Sequence, residues 1–447
     1  MSPHARAPRV ESAKGRVLYA GAVTSAPAGE RTERIAAIDG LRALAFLLVF
    51  AFHSWQFAGA PDIPVFSTVV AQNIRPDFFV VLTGFVLFLP FARDPSRLER
   101  FAARPYLNRR LRRIVLPYYA ALAYAILLPQ ALVVLMKVLG REASWQPWPS
   151  VGDVLSHLTF THMFFPQYWS TINGSLWTMA LEMQLYLLFP LVMLAAARWG
   201  LRAIFAAIIV SVLFRIGVDL AVGDAGFSVV FLWAASGLGR LTEFACGMLA
   251  AVVGFRVAGR VRPPHALAVL AVMVAAYFIA TESFFRGTVL PVRDFGLSVL
   301  FGSLIVLVLT VRPVGAVFAW RPVSWLGYRS YSLFLIHQPT LWYTSEFLQK
   351  FLGVAEGPAL LGLLWTVGFG AVLGVGSVLF VTVERPCITW AKRVPSSRAP
   401  VLSAPQSTAS VAIPPASVPP MSAAAEAPTA DSATEPPESG HERPPSA

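Results

Sequence analysis

Charge is what this chain has least of. Only 13% of its 447 residues are Asp, Glu, Lys or Arg, where a soluble protein usually carries about 25%. With 56% hydrophobic residues and a mean hydropathy of +0.62, that deficit excludes a soluble fold for most of the chain and places it in lipid. Cysteine is nearly missing too. Cys246 and Cys387 support neither a disulfide framework nor a metal-ligand spacing motif. Residues 1–34 contain no apolar run of signal-peptide length, so the first apolar run is expected to stay as an uncleaved anchor. From residue 395 to 447 there is no aromatic residue, and an Ala/Pro/Ser-rich stretch of that kind cannot bury enough apolar surface to fold.

The charge that is present is unequal: 36 Lys and Arg against 24 Asp and Glu, a net +12. The arginines sit between apolar runs, where membrane topology accounts for them and nucleic-acid binding does not. Runs of spanning length fall at 37–57, 77–92, 114–138, 175–197, 201–222, 239–255, 265–281, 294–311, 330–350 and 358–383. With the N-terminus inside, alternate loops collect Arg97, Arg100, Arg109, Arg110, Arg112 and Arg113, then Arg198 and Arg202, then Arg256, Arg260 and Arg262, then Arg312, Arg321 and Arg329. The intervening loops are poor in arginine, and omitting one span would invert every later loop. The expected fold is therefore all-α: a polytopic transmembrane bundle of about ten spans with both termini cytoplasmic. Its parts are a basic N-terminal segment (1–34), a membrane body (35–394) and a disordered tail (395–447).

An ionisable residue at the bilayer centre costs about 2.5–3.5 kcal/mol on insertion scales, so each one needs a reason. The first span carries Arg42 and His53 eleven residues apart. On a helix these share one face, roughly 20° apart in azimuth and about 16 Å along the axis. The fourth span places Ser175, Thr178, Glu182 and Tyr186 in one polar stripe. Glu182 and His53 have similar depths, close enough for a carboxylate–imidazole pair. The ninth span carries His337, either a third wall of the same cavity or a packing residue bonded to a carbonyl beside Pro339. Asp77 opens the second span, and Arg240 with Glu243 at the sixth reads as an i, i+3 ion pair. Before the third span, Arg109, Arg110, Arg112 and Arg113 suit a polyphosphate, and equally a topology signal or an anionic lipid. His157 and His162 are five apart with no acidic residue between them as in metalloprotease helices, so no metal site is expected.

Taken in order, these landmarks resemble acyltransferase family 3, the bacterial membrane O-acyltransferases. The resemblance covers residues 35–394. It rests on Asp39-Gly40-Leu41-Arg42-Ala43 with His53, the run from Asp77 to Phe85, and Arg110-x-x-Arg113 before Pro117. Ser175-Leu176-Trp177 with Glu182 and Tyr186, Glu243-Phe244 with Gly247-Met248, Ser330-Tyr331-Ser332-Leu333 with His337, and Glu384-Arg385-Pro386 complete the set. Thr83 stands where the family commonly has Ser, and two residues rather than one separate Ile114 from Pro117. Some relatives append an extracellular hydrolase-like domain; this chain looks like the stand-alone type.

The resemblance implies transfer of an acyl group, commonly acetyl from acetyl-CoA, to a hydroxyl of a carbohydrate, glycolipid or polyketide-like acceptor. Acyl-CoA would be a co-substrate, with no bound cofactor or metal, in a protein of the bacterial inner membrane. His53, Arg42 and Glu182 are the expected catalytic residues: base, anion stabiliser and orienter. Arg110, Arg113 and Arg109 are expected to bind the donor. Asp77, Ser175, Tyr186 and His337 are expected to meet substrate. A transporter or lipid flippase using the buried His and Glu as a proton relay is the competing class.

Overall fold

The computed structural model describes residues 28–71, 74–222, 232–257, 263–285 and 292–394. The disordered tail expected at 395–447, and most of the N-terminal segment expected at 1–34, lie outside the described residues. All regular structure among the described residues is helical. In lipid this follows from the backbone itself, because every N–H and C=O must be satisfied within the segment.

Among the described residues ten long helices occupy the ten apolar intervals: α1 (Ala28–Phe57), α2 (Arg75–Arg93), α3 (Ala103–Val138), α4 (Trp177–Trp199) and α5 (Leu201–Val222), then α6 (Leu241–Val257), α7 (Pro263–Phe285), α8 (Val292–Thr310), α9 (Ser330–Leu352) and α10 (Pro358–Lys392). Seven of them, α1 to α5 with α8 and α10, are long and apolar enough to cross a membrane. α6 stops at 17 residues, the apolar part of α7 runs only from Ala266 to Ala280, and α9 carries His337, Gln338, Glu346 and Lys350.

Three local features of the helical framework place polar side chains in the interior or steady the loop beside it. α3 is 36 residues long and extends well before the apolar run, so the arginine cluster is helical and continuous with the span. α10 contains two π-helical stretches, Leu364–Gly368 and Phe380–Glu384, the second ending on the buried Glu384; such local widening re-aims side chains within a helix. Between α3 and α4, a short helix at Val151–Leu158 is capped by Ser150, whose hydroxyl accepts from the Asp153 N–H at 3.1 Å.

α1 packs against α9, α2 and two short helices, Arg312–Ala319 and Arg321–Tyr328. The most intimate pairing is α2 with α6. Lipid gives helices no hydrophobic reason to associate, so close backbone approach and dispersion contact must do it. Gly84 and Gly247 make that approach possible. A Cβ at Gly247 would lie 1.9 Å from the Val81 carbonyl oxygen, and one at Gly84 would lie 2.0 Å from that of Phe244. Both obstacles are backbone atoms that cannot turn aside.

Gly247→Ala is therefore expected to force α2 and α6 apart at a cost of about 1–3 kcal/mol. Thermal unfolding of the detergent-solubilised variant should show a lower midpoint. Gly362, around which a Cβ would meet nothing within 4 Å, is the control that should tolerate Ala.

Candidate active site

α1 is the spine of the site, and it places its two polar residues on different cavities. His53 lines an outer cleft and Arg42 a central one. The separation is that of an unbroken helix over eleven residues, about 16 Å.

His53 meets a second imidazole. His337 on α9 brings its Nε2 to 3.1 Å from His53 Nδ1, and its own Nδ1 lies 2.5 Å from the Phe334 carbonyl oxygen. A carbonyl can only accept, so His337 Nδ1 carries the proton and its Nε2 presents a lone pair. His53 Nδ1 then faces two acceptors, that lone pair and the Val49 carbonyl oxygen at 3.1 Å. It must be the protonated nitrogen. A neutral His53 is left with Nε2 as its basic nitrogen, on a ring that lines the outer cleft. Of the two roles open to His337 in the sequence, third polar wall or carbonyl-bonded packing residue, the carbonyl bond is present, and the same ring also fixes His53.

Glu182 sits elsewhere. Among the described residues its carboxylate accepts from the Tyr186 hydroxyl and from Thr83 Oγ1 at 3.4 Å, and it lines the central cleft with Arg42. The pairing of Glu182 with His53 expected from their depths is replaced by His337 with His53. Depth is set by position along a helix; which face turns to which neighbour is set by packing.

The central cleft is lined by side chains from α1, α2, α3, α4, α9 and α10. Arg42, Arg110 and Arg113 line it together with Glu182 and Glu384. Arg42 Nη1 lies 3.5 Å from Asp39 Oδ1. Arg110 stands 5.5 Å over the Tyr186 ring. Glu384 takes hydrogen bonds from the backbone N–H and hydroxyl of Ser332 at 3.1 and 2.5 Å, closing the first turn of α9. Tyr186 is thus a wall of this cleft.

The inner cleft lies toward the N-terminal end of α3. Arg97, Arg100, Arg109, Arg110, Arg113 and Lys392 face it, with Asp94 the one carboxylate among its described lining residues. The four-arginine cluster divides here. Arg109, Arg110 and Arg113 turn to the cleft, while Arg112 bonds Asn108 at 2.7 Å and lies 4.6 Å over Trp390. Arg110 and Arg113 line the inner and central clefts both.

The outer cleft combines Gln56, Gln338, Ser175 and Thr178 with Trp169 and Trp177. Amides, hydroxyls and indole rings together form a surface suited to a hydroxyl-rich molecule. Asn173 holds the loop that supplies Trp169 and Ser175, donating to the Leu335 carbonyl at 2.9 Å and accepting from the Ser175 hydroxyl at 2.7 Å. Ser175 is therefore a wall of the cleft whose hydroxyl donates inward.

Asp77 falls outside this series. It is fully buried in an ion-pair network: Arg240 Nη1 reaches Asp77 Oδ1 at 2.8 Å, Glu243 Oε1 at 2.7 Å and Asp294 Oδ1 at 3.6 Å. Arg215 and Arg293 also meet Asp294. Three carboxylates within 4.8 Å of one another are a geometry that suits a cation, and guanidinium groups fill that place. The i, i+3 pair read from Arg240 and Glu243 is one edge of a network tying α2, α5, α6 and α8. Asp77 is not among the residues lining the three clefts, and its Oδ1 accepts from Arg240. Arg215 and Asp294 escaped the sequence reading, although an ionisable residue inside or opening an apolar run is the very signal that found Asp77. Phe79 and Phe334, which line both the central and the outer cleft, look in sequence like any lipid-facing Phe.

In the segment between α3 and α4, His157 and His162 stack with ring centroids 3.9 Å apart and planes 6° from parallel, both fully buried. His157 Nδ1 bonds the Asp153 backbone carbonyl oxygen at 3.0 Å and lies 3.1 Å from its carboxylate. Burial, reinforced by the neighbouring ring, pushes the His162 imidazole down to about 3.

The chain matches the family described as an acyltransferase domain over residues 35–383. Among curated proteins it is similar to peptidoglycan O-acetyltransferase OatA of Listeria monocytogenes serovar 1/2a, 22% identical over 354 residues, which are 70% of this chain and 50% of that protein. It is similar also to putative peptidoglycan O-acetyltransferase YrhL of Bacillus subtilis strain 168, 23% identical over 346 residues, 69% of this chain and 48% of that one. The chain thus spans about half the length of the curated relatives it matches. No solved structure matches it significantly.

Two expectations concern stability. Arg240→Met should leave three buried carboxylates short of their shared cation and cost about 3–5 kcal/mol, read as loss of monodisperse protein after solubilisation. His162 is neutral in the fold and titrates near 6.5 when unfolded. The unfolded chain binds the extra proton between about pH 6.5 and 3, so stability is full above that window and falls as pH drops through it. From pH 7 to 4.5 the loss from this residue should be about 2–3 kcal/mol. His162→Phe should flatten the pH dependence of the melting midpoint; an unchanged slope would contradict the assignment.

Proposed function

The chain belongs to the acyltransferase domain family, and on that premise we propose that it is a membrane-embedded O-acyltransferase carrying an acyl group from cytoplasmic acyl-CoA to a carbohydrate hydroxyl at the outer face. In this reading it is a multi-pass protein of the bacterial cell membrane whose ten long helices all span, with both termini in the cytoplasm. The names of the relatives, peptidoglycan O-acetyltransferases, support a cell-wall glycan as the acceptor and acetyl as the group moved.

One observation carries the reading. The three clefts lie in series and share walls: Leu87, Arg110 and Arg113 between inner and central, and Val49, Phe79 and Phe334 between central and outer. A basic mouth at one end fits a polyphosphate, with Arg110 and Arg113 as bidentate partners and Arg109 beside them. A central cleft of largely apolar wall set with Arg42, Thr83 and Glu182 fits the donor's thin arm. Arg42 lies in that central cleft, so it acts on the donor there, and Glu182 with Tyr186 forms the opposite wall.

At the outer end His53 Nε2 takes the proton from the acceptor hydroxyl as the oxygen attacks the thioester carbonyl. The new C–O bond forms, the C–S bond breaks, and the proton passes from His53 to the departing thiolate. His337 holds His53 in the tautomer that leaves Nε2 basic. It is a positioning residue, and Ser175 shapes the acceptor side.

His53→Ala should lower acyl transfer from radiolabelled acetyl-CoA to extracted glycan by about 10²–10⁴-fold while membrane insertion persists. Wild-type turnover would sink the base assignment. Arg110→Ala with Arg113→Ala should raise the KM for acetyl-CoA by at least about tenfold, as expected for loss of charge-assisted bonds. A transporter or flippase would move label across the membrane without joining it covalently to the glycan.

A further inference from the structure

We propose that the stacked pair Phe79 and Phe334, closed by Val49, is an acyl-chain filter that confines this protein to short acyl groups. The filter presupposes acyl-CoA as the donor and identifies the substrate class at the same site.

These three residues are the walls that the central and outer clefts have in common. An acyl carbonyl delivered through the central cleft must pass this shared wall to reach His53. Phe79 on α2 and Phe334 on α9 stack with ring centroids 5.8 Å apart and planes 17° from parallel. Val49 on α1 is the third wall residue. The wall shared by the two clefts is thus made by three separate helices, and the room an acyl group finds beside it follows from how they are held.

Each wall is held firmly. The Val49 carbonyl oxygen takes part in the hydrogen bond to His53 Nδ1, at 3.1 Å. The Phe334 carbonyl oxygen accepts from His337 Nδ1, at 2.5 Å. Neither backbone can retreat without disturbing the imidazole pair that fixes the His53 tautomer. Phe79 is flanked by buried residues: Asp77 in the ion-pair network, Phe78 stacked on Phe301 at 4.5 Å, and Val80. The same contacts that prepare the base therefore set this wall. Close-packed walls resist added methylene groups, because overpacking displaces side chains from their rotamers. Specificity beside such a wall is expected to run at about tenfold or more per methylene.

A packing role alone predicts something else. If the rings merely fill space, truncating either lowers transfer from every donor by the same factor. If they filter, the ratio between donors changes. The test uses the full chain in nanodiscs and measures kcat/KM for acetyl-, butyryl- and hexanoyl-CoA. Peptidoglycan fragments serve as acceptor, and release of the CoA thiol is the readout. The wild type should prefer acetyl over butyryl by at least about tenfold. Phe79→Ala and Phe334→Ala should each raise the butyryl-to-acetyl ratio by at least about tenfold. Phe79→Leu, the milder change should Ala fail to fold, should raise it less but measurably. Transfer with an unchanged ratio in folded Phe79→Leu and Phe79→Ala overturns the filter alone. Absence of thiol release from any acyl-CoA by the wild type overturns the donor reading, and the filter with it.

Discussion

A polar group carried into lipid must find its partner inside the bundle, since no water is there to supply one, and the interior of this protein is organised by that requirement. It has two solutions here. In the first, opposite charges cancel: Arg240 bridges Asp77, Glu243 and Asp294, with Arg215 and Arg293 alongside, and four helices are drawn together. In the second, polar groups line spaces that something else can enter. Arg42, Arg110 and Arg113 belong to that class, and so does His53. The two solutions sit side by side on α2, where Asp77 serves structure and Phe79, two residues on, faces the clefts.

The His53–His337 contact shows how one imidazole can fix the tautomer of another. A carboxylate beside an imidazole stabilises the imidazolium; a neutral imidazole does not. What His337 supplies is direction, because its own proton is committed to the Phe334 carbonyl and its lone pair therefore turns toward His53. The chain of donors ends with a free nitrogen on the cleft side. No charge has to be buried to achieve this, an arrangement suited to a site deep in a membrane.

The division of α1 between two clefts also alters the meaning of the Arg42 and His53 pair. On a helical wheel they look like members of one compact site. In the bundle they line successive clefts that share Val49, Phe79 and Phe334 as walls. A rigid helix is a good ruler for such a purpose, since about 1.5 Å per residue holds wherever hydrogen bonding is unbroken. Gly84 and Gly247 let α2 and α6 approach to backbone contact, and that approach fixes where α2 presents Phe79.

The positions of the long helices, the all-helical class and the presence of costly polar residues within the spans were determined by the sequence by itself. These depend on one-dimensional properties: runs of apolar residues, the cost of an ionisable residue within such a run, and the spacing of Arg42, His53, Glu182 and Arg110. Depth along a helix is likewise one-dimensional, so Glu182 and His53 could be ranked as near in depth. Only tertiary structure decided that Glu182 turns to Thr83 and Tyr186, that His337 takes the place beside His53, and that Arg112 leaves its neighbours in the cluster. The reason is azimuth. A helix presents a different face every 100° or so, and which face meets which neighbour depends on backbone approach at small residues and on closure of buried ion pairs. Those are properties of helix pairs far apart in the chain. Phe79 and Phe334 make the point most sharply: each is an ordinary apolar residue in its own span, and only where α2 and α9 converge do they stack and line two clefts at once.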